Sequence, residues 1–129
     1  MFEVKQTFGP LSTGPITQDM IDQYADASFD HNPIHLDRKA AQSAGFDRQI
    51  VHGMLSMGKT YAILTEAFDR VGKITQYDIK FNAPLLVDES LDITATVRKV
   101  TDSSVRFAVE AYNSDTKDLV IKGTMTIDF

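Results

Sequence analysis

His52-Gly53-Met54-Leu55-Ser56-Met57-Gly58-Lys59-Thr60-Tyr61-Ala62-Ile63-Leu64-Thr65-Glu66-Ala67-Phe68-Asp69 is the longest helical candidate in the chain. Met54, Leu55, Met57, Tyr61, Ala62, Ile63, Leu64, Ala67 and Phe68 leave little of its circumference polar. A helix that is apolar on most sides is expected to be largely enclosed. Everything after Gly72 reads as strand. Tyr77, Ile79 and Phe81 alternate with Asp78, Lys80 and Asn82, and Pro84 closes that run. The same period of two recurs at Leu91 to Val97, Val105 to Ala111 and Leu119 to Ile127, with turns at Asp102-Ser103-Ser104 and Asn113-Ser114-Asp115-Thr116. One apolar helix and four one-faced strands predict an α+β fold in which an antiparallel sheet curls around the helix.

Upstream, Phe2, Val4 and the stretch Gln6 to Phe8 suggest a short strand that stops at Gly9-Pro10. A helix is predicted over Gln18 to Ser28. Thr17 is a good N-cap, Ile16 can pack on Ile21 as a staple, and Asp19 suits the first turn. Its buried face should carry Ile21, Tyr24, Ala25 and Ser28. Pro33 ends that helix by pushing Asn32 out of the α region, and a short helix then fits Arg38 to Ala44, capped by Asp37 and closed by Gly45.

The whole chain of 129 residues is expected to be one domain, since it holds no repeat, low-complexity tract or linker. Hydrophobic residues make up 43% and charged residues 24%, as in soluble proteins, and no run could span a bilayer. The first ten residues lack a basic start and an apolar core, so no secretory signal and a cytoplasmic location are expected. With no cysteine, thiolate nucleophiles and disulfides are excluded. A net charge of −5 with scattered lysines and arginines argues against nucleic acid as a partner.

Chemistry is concentrated in Asp30-His31-Asn32-Pro33-Ile34-His35-Leu36-Asp37, where Asp30, His31, His35 and Asp37 are ionisable. Pro33 stiffens this bend, and a stiff bend can make Asp30 and His35 converge. A carboxylate and an imidazole beside one water are what adding or removing water requires, because one proton must be taken and another given. Their ordinary pKa values of about 3.9 and 6.5 leave one ionised and let the other switch near neutrality. Each residue also has a structural reading: Asp30 could close the preceding helix, His35 could be a hydrogen-bonded core histidine, and His31 could simply face solvent. Asn32 could stabilise its own turn, and Asp37 could act only as an N-cap. In Ile50-Val51-His52-Gly53-Met54-Leu55, unsatisfied N–H groups at a helix start could hold a carbonyl oxygen that gains negative charge. Tight packing of that helix start is the other reading of Gly53. His52 could serve only local polar groups.

These segments resemble the MaoC-like hydratases, a family that includes the R-specific enoyl-CoA hydratases. The resemblance rests on Tyr24-Ala25 and Ser28 leading into Asp30-x-Asn32-Pro33-Ile34-His35-x-Asp37. It continues through Ala44-Gly45-Phe46, Ile50 to Leu55, and Phe81-Asn82-Ala83-Pro84-Leu85. It spans almost the whole chain in the expected order. It implies a single hot-dog fold with active sites at a homodimer interface, or a higher homo-oligomer, and no metal or organic cofactor. Asp30 and His35 would flank the substrate water, and the Gly53 amide would receive the thioester carbonyl. Asn32, His52, Met54 and Tyr61 count with Gly53 as substrate-binding positions.

The expected reaction interconverts a trans-2-enoyl thioester, on coenzyme A or acyl carrier protein, and the R-3-hydroxyacyl thioester. Where some relatives carry a serine on the central helix near the pair, this chain places Tyr61, with Gly58 a turn earlier, and Asp88-Glu89 replaces the usual Gly-Asp after the proline-ended strand. Alternatives are a thioesterase, a non-catalytic acyl-thioester-binding subunit, and a metal site built from His31, His35 and Asp37, which the intervening proline disfavours.

Overall fold

The computed structural model describes residues 2–129, with Met1 outside them. Nine elements follow one another: β1 (Thr7–Ser12), α1 (Gln18–Ser28), α2 (Pro33–Leu36), α3 (Arg38–Ser43), α4 (Gly53–Ala67), β2 (Lys73–Phe81), β3 (Leu91–Val100), β4 (Ser104–Asn113) and β5 (Leu119–Asp128). The five strands form one antiparallel sheet in the order β1-β3-β4-β5-β2. The alternation read from β3, β4 and β5 is borne out. Leu91, Ile93, Ala95 and Val97 face the core opposite Val105, Phe107, Val109 and Ala111, with Ile121, Met125 and Ile127 beside them. Thr94, Glu110 and Lys122 lie on the outer face.

The first strand departs from its expectation. It begins at Thr7 and runs through Gly9-Pro10, where it was expected to stop. Proline is tolerated because β1 is an edge strand and its register with β3 slips between Phe8 and Leu11, so no ladder donor is missing where Pro10 sits. Gly9 is required there: its φ is +106°, and a Cβ would collide with the main-chain oxygen of Ile93. Phe2 and Phe8 pack edge-on against Phe107, and Phe8 also meets Phe68 at the end of α4.

α1 has the predicted bounds. Thr17 Oγ1 accepts from the Met20 N–H at 3.3 Å, and Ile16 and Ile21 are both buried as a staple requires. Its buried stripe is narrower than expected, because Ser28 is exposed and Tyr24 only half-buried. Asp37 caps α3 through the Ala40 N–H, and Gly45 follows its C-cap, Ala44.

α4 is not enclosed within the chain. Its fully buried residues are Ser56, Thr60 and Leu64, four apart, whereas Met54 is 59% and Tyr61 39% exposed. The reason is geometric. One sheet can cover one stripe of a helix, so much of the apolar remainder faces outward. Thr60 Oγ1 donates back to the Ser56 carbonyl at 2.9 Å, which satisfies its buried hydroxyl.

Gly123 on β5 lies opposite Ile79, and a Cβ there would run into the main-chain oxygen of Asp78. A Gly123→Ala substitution is therefore expected to destabilise the fold by ~1–3 kcal/mol by forcing β2 away from β5. An unchanged urea-unfolding midpoint would show that the two strands separate without cost.

Candidate active site

The bend between α1 and α2 is built from short-range hydrogen bonds. α1 ends at Phe29, whose φ of 63° turns the chain sharply, and Ser28 Oγ accepts from the Asp30 N–H at 3.2 Å. Asp30 Oδ1 accepts from the Asn32 N–H at 3.2 Å, which is an Asx turn. Asn32 Oδ1 in turn accepts from the Ile34 N–H at 3.2 Å and caps α2, with Pro33 as its first residue. The stretch expected as a plain stiff bend is thus a bend plus one helical turn, which carries His35 inward. One Asp30 oxygen is spent on the turn, and the other, Oδ2, lies 3.9 Å from His35 Nε2. Asp30 is half exposed, while His35 is buried.

The hydrogen bonds determine which ring nitrogen carries hydrogen. His35 Nδ1 lies 2.8 Å from the Ile50 carbonyl oxygen, which can only accept, so Nδ1 carries a hydrogen, and in the neutral form of the ring the lone pair sits at Nε2, which faces Asp30. His52 Nε2 lies 3.0 Å from the Asp30 carbonyl oxygen and must likewise be the donor. The His35 and His52 rings stack at 3.8 Å with 23° between planes, and Tyr24 meets His52 edge-on at 4.8 Å. Burial pushes the His52 imidazole below its ordinary pKa, and the neighbouring His35 adds to this. The contact to the Asp30 carbonyl opposes that shift without reversing it. Gln18 Nε2 donates to the His35 carbonyl at 3.0 Å and ties α1 to the same turn.

A cavity of about 320 Å³ opens beside His35. Its walls come from His35, from Ile50, Val51, Gly53 and Ser56, from Phe81 to Leu85, and from Val120 on β5. The segment before α4 is pinned on both sides, since the Ile50 N–H bonds the Ile34 carbonyl and the Val51 N–H bonds the Leu85 carbonyl. The Gly53 N–H has no intrahelical acceptor. Both readings of Gly53 have support: it borders the cavity, and a Cβ would sit 3.3 Å from the Phe81 ring.

Several expected substrate-binding residues lie elsewhere. Asn32 does not border the cavity, because its side-chain oxygen caps α2. His52 is 2% exposed, sandwiched between Tyr24 and His35, so it cannot reach a substrate. Met54 is exposed and is not part of the wall. Tyr61 lies two turns further along α4, packs edge-on against Tyr77 at 5.1 Å and lines a separate cavity with Thr65, Phe68 and Ile74. The helix turns it away from His35 within the chain. In Asp88-Glu89, Glu89 is buried and its Oε1 accepts from the Leu86 N–H at 2.7 Å, fixing the loop behind Leu85.

Ser56 was missed as a wall residue. It is 2% exposed and sits three residues after Gly53, so helical spacing places both on the cavity side; that spacing was the available signal. Gln18 gave none, because its contact with His35 spans 17 residues.

The His31, His35 and Asp37 metal reading does not hold. His31 pairs with Asp26 at 3.0 Å and Asp37 caps α3. Asp30, His35 and His52 do offer ligand atoms within 4.8 Å of one another. However, stacked rings point their nitrogen lone pairs side by side, whereas a tetrahedral ion needs them to meet at one point.

The chain is similar to several known proteins. Over 110 residues the chain is 30% identical to the mitochondrial 3-hydroxyacyl-[acyl-carrier-protein] dehydratase of Arabidopsis thaliana, covering 82% of this chain and 66% of that one. Over 113 residues it is 29% identical to an (R)-specific enoyl-CoA hydratase of Rhodospirillum rubrum, covering 87% of this chain and 78% of that one. The solved (R)-hydratase of A. caviae, involved in PHA biosynthesis, has the same fold: the TM-score is 0.85 at 23% identity, over 98% of this chain and 96% of that one. A helix lying on a five-stranded antiparallel sheet is thus the hot-dog fold of these hydratases. The family model for the MaoC like domain matches residues 2–118, taking in the Asp30 bend, the start of α4 and the Phe81 to Leu85 wall, and the chain belongs to that family.

Proposed function

We propose that the protein is a hydratase/dehydratase that interconverts a trans-2-enoyl thioester and the R-3-hydroxyacyl thioester. Asp30 and His35 form its acid/base pair, and the Gly53 amide receives the thioester oxygen. The observation that carries this reading is the lone pair of His35 Nε2 facing Asp30 Oδ2 at 3.9 Å, with His35 and Gly53 on one cavity wall. At that distance two acceptors do not bond each other. A substrate water lying between them can donate one O–H to each, leaving an oxygen lone pair to attack.

In the hydration direction the water oxygen bonds the β-carbon and the carbon–carbon π electrons move toward the thioester carbonyl. The charge gathering on that oxygen is met by the Gly53 N–H at the positive end of α4. The Asp30/His35 pair takes a proton from water and a proton is returned to the α-carbon, so the enzyme ends as it began. Elimination runs through the same contacts in reverse. The names of the plant and bacterial relatives support both directions and a thioester on coenzyme A or acyl carrier protein.

The working unit is proposed to be a homodimer. Edge strand β2 and the outward apolar residues Met54, Tyr61 and Phe81 give the chain an uncovered face adjoining the cavity. Light scattering coupled to size exclusion is expected to give twice the mass of the chain, and a monomer at micromolar concentration would refute this.

Purified protein is expected to bleach the conjugated absorbance of a short enoyl-CoA such as crotonyl-CoA. Asp30→Asn and His35→Ala should each lower kcat by about 10²–10⁴-fold with the fold intact. Release of free thiol in place of bleaching would identify a thioesterase, and near-normal rates in either variant would remove the assigned roles. Ser56→Ala is expected to raise KM by removing a hydroxyl from the cavity wall. An unchanged KM would show that Ser56 does not meet the substrate.

A further inference from the structure

We infer that His52 is a positioning residue, clamping the Asp30 main chain to the start of α4 and backing the His35 ring so that both stay in register with the Gly53 amide. This rests on the hydration reading above and assigns a role that the reading does not contain.

Two contacts of one side chain and its place in the chain carry it. Nε2–H donates to the Asp30 carbonyl at 3.0 Å, the ring face stacks on His35 at 3.8 Å, and the next residue in the chain is Gly53. Asp30 and His35 share one stretch and Gly53 lies on another, 18 residues beyond His35, and His52 contacts or adjoins all three residues. It is the N-cap residue of α4, yet its side chain makes no capping bond. The ring is committed to the bend instead.

Packing alone does not explain a histidine here. A phenylalanine or leucine would fill the space between Tyr24 and His35 without a polar atom, whereas Nδ1 of His52 is buried with no hydrogen-bond partner among the described residues. An unpaired buried nitrogen is a cost to the fold. It is explained if the other nitrogen is needed as a donor, and burial favours the uncharged ring that donates only through Nε2. An uncharged ring is also the form that adds no repulsion when His35 takes a proton during turnover. Around this ring the titratable neighbours are His35 and Asp30, with His31 further off and Tyr24 at the ring edge.

The test separates the N–H from the ring. His52→Phe keeps the ring and loses the donor; His52→Gln loses the ring and keeps an amide donor able to reach the Asp30 carbonyl. On enoyl-CoA hydration, His52→Phe is expected to lower kcat by about 10²-fold, the cost of a carboxylate displaced by about an ångström, with little change in KM. His52→Gln should recover much of that loss. On an Asp30→Asn background, followed in single turnovers, adding His52→Phe should cost far less than it does in the otherwise normal enzyme, because the two residues act through one group. Should the Phe variant not fold, by circular dichroism, His52→Ala takes its place. A Gln variant no better than Phe overturns the proposal, as does a loss that stays undiminished on the Asp30→Asn background. If the unaltered protein hydrates no enoyl thioester, the proposed function fails instead, and the two failures are told apart by that control.

Discussion

The site depends on two stretches of chain held across each other by main-chain carbonyls. Residues 30–35 and 50–53 exchange three hydrogen bonds: His35 Nδ1 to the Ile50 oxygen, His52 Nε2 to the Asp30 oxygen, and the Ile50 N–H to the Ile34 oxygen. Each imidazole is thereby held in one tautomer by a backbone group of the other stretch. A side-chain acceptor could swing away or lose its charge, but a main-chain carbonyl in a hydrogen-bonded turn or bridge does neither. This crossing converts two flexible polar rings into fixed parts, one presenting a lone pair to Asp30 and the other buried behind it.

The rest of the fold serves to hold that crossing. Val51 is pinned to Leu85, Val87 to Gln49, and Asp88 to Ile16, so the stretch before α4 is backed by the loop after β2. That loop owes its shape to buried Glu89, whose carboxylate accepts the Leu86 N–H. Glu89 also reaches α1, through its main-chain contact with Ile16 just before the Thr17 cap. From there Gln18 reaches the His35 carbonyl. The sheet supplies the floor, and the Ser56, Thr60 and Leu64 stripe of α4 is buried. The side of α4 near Gly53 and Ser56 borders the cavity, while Met54 and Tyr61 are left outward.

Much of this was legible in the sequence because it is local. Thr17, Asp37 and Gly45 announce helix ends through groups within three or four residues of them. The alternation along β3, β4 and β5 identifies the core face since strand side chains alternate whatever the strands pair with. Asp30 and His35 could be singled out because a proline between two ionisable residues stiffens them. What misled was equally local reasoning. Nine apolar residues between Met54 and Phe68 read as an enclosed helix, although one sheet covers one face of a helix and the count of apolar residues does not say which. Gly9-Pro10 read as the end of a strand because a proline breaks a ladder, yet at a sheet edge with a register slip no ladder bond is lost.

By itself the sequence determined the order and type of the elements other than α2, the family to which the chain belongs, and the residues whose chemistry could move protons, since these follow from neighbours along the chain. Only the tertiary structure decided that His52 stands behind His35 away from the cavity, that Tyr61 turns from the pair and that Ser56 borders the cavity. Those outcomes depend on contacts between residues 15 to 50 positions apart in the numbering, as in His35 with Ile50 or Val51 with Leu85, and no periodicity or propensity encodes which carbonyl a ring nitrogen will meet.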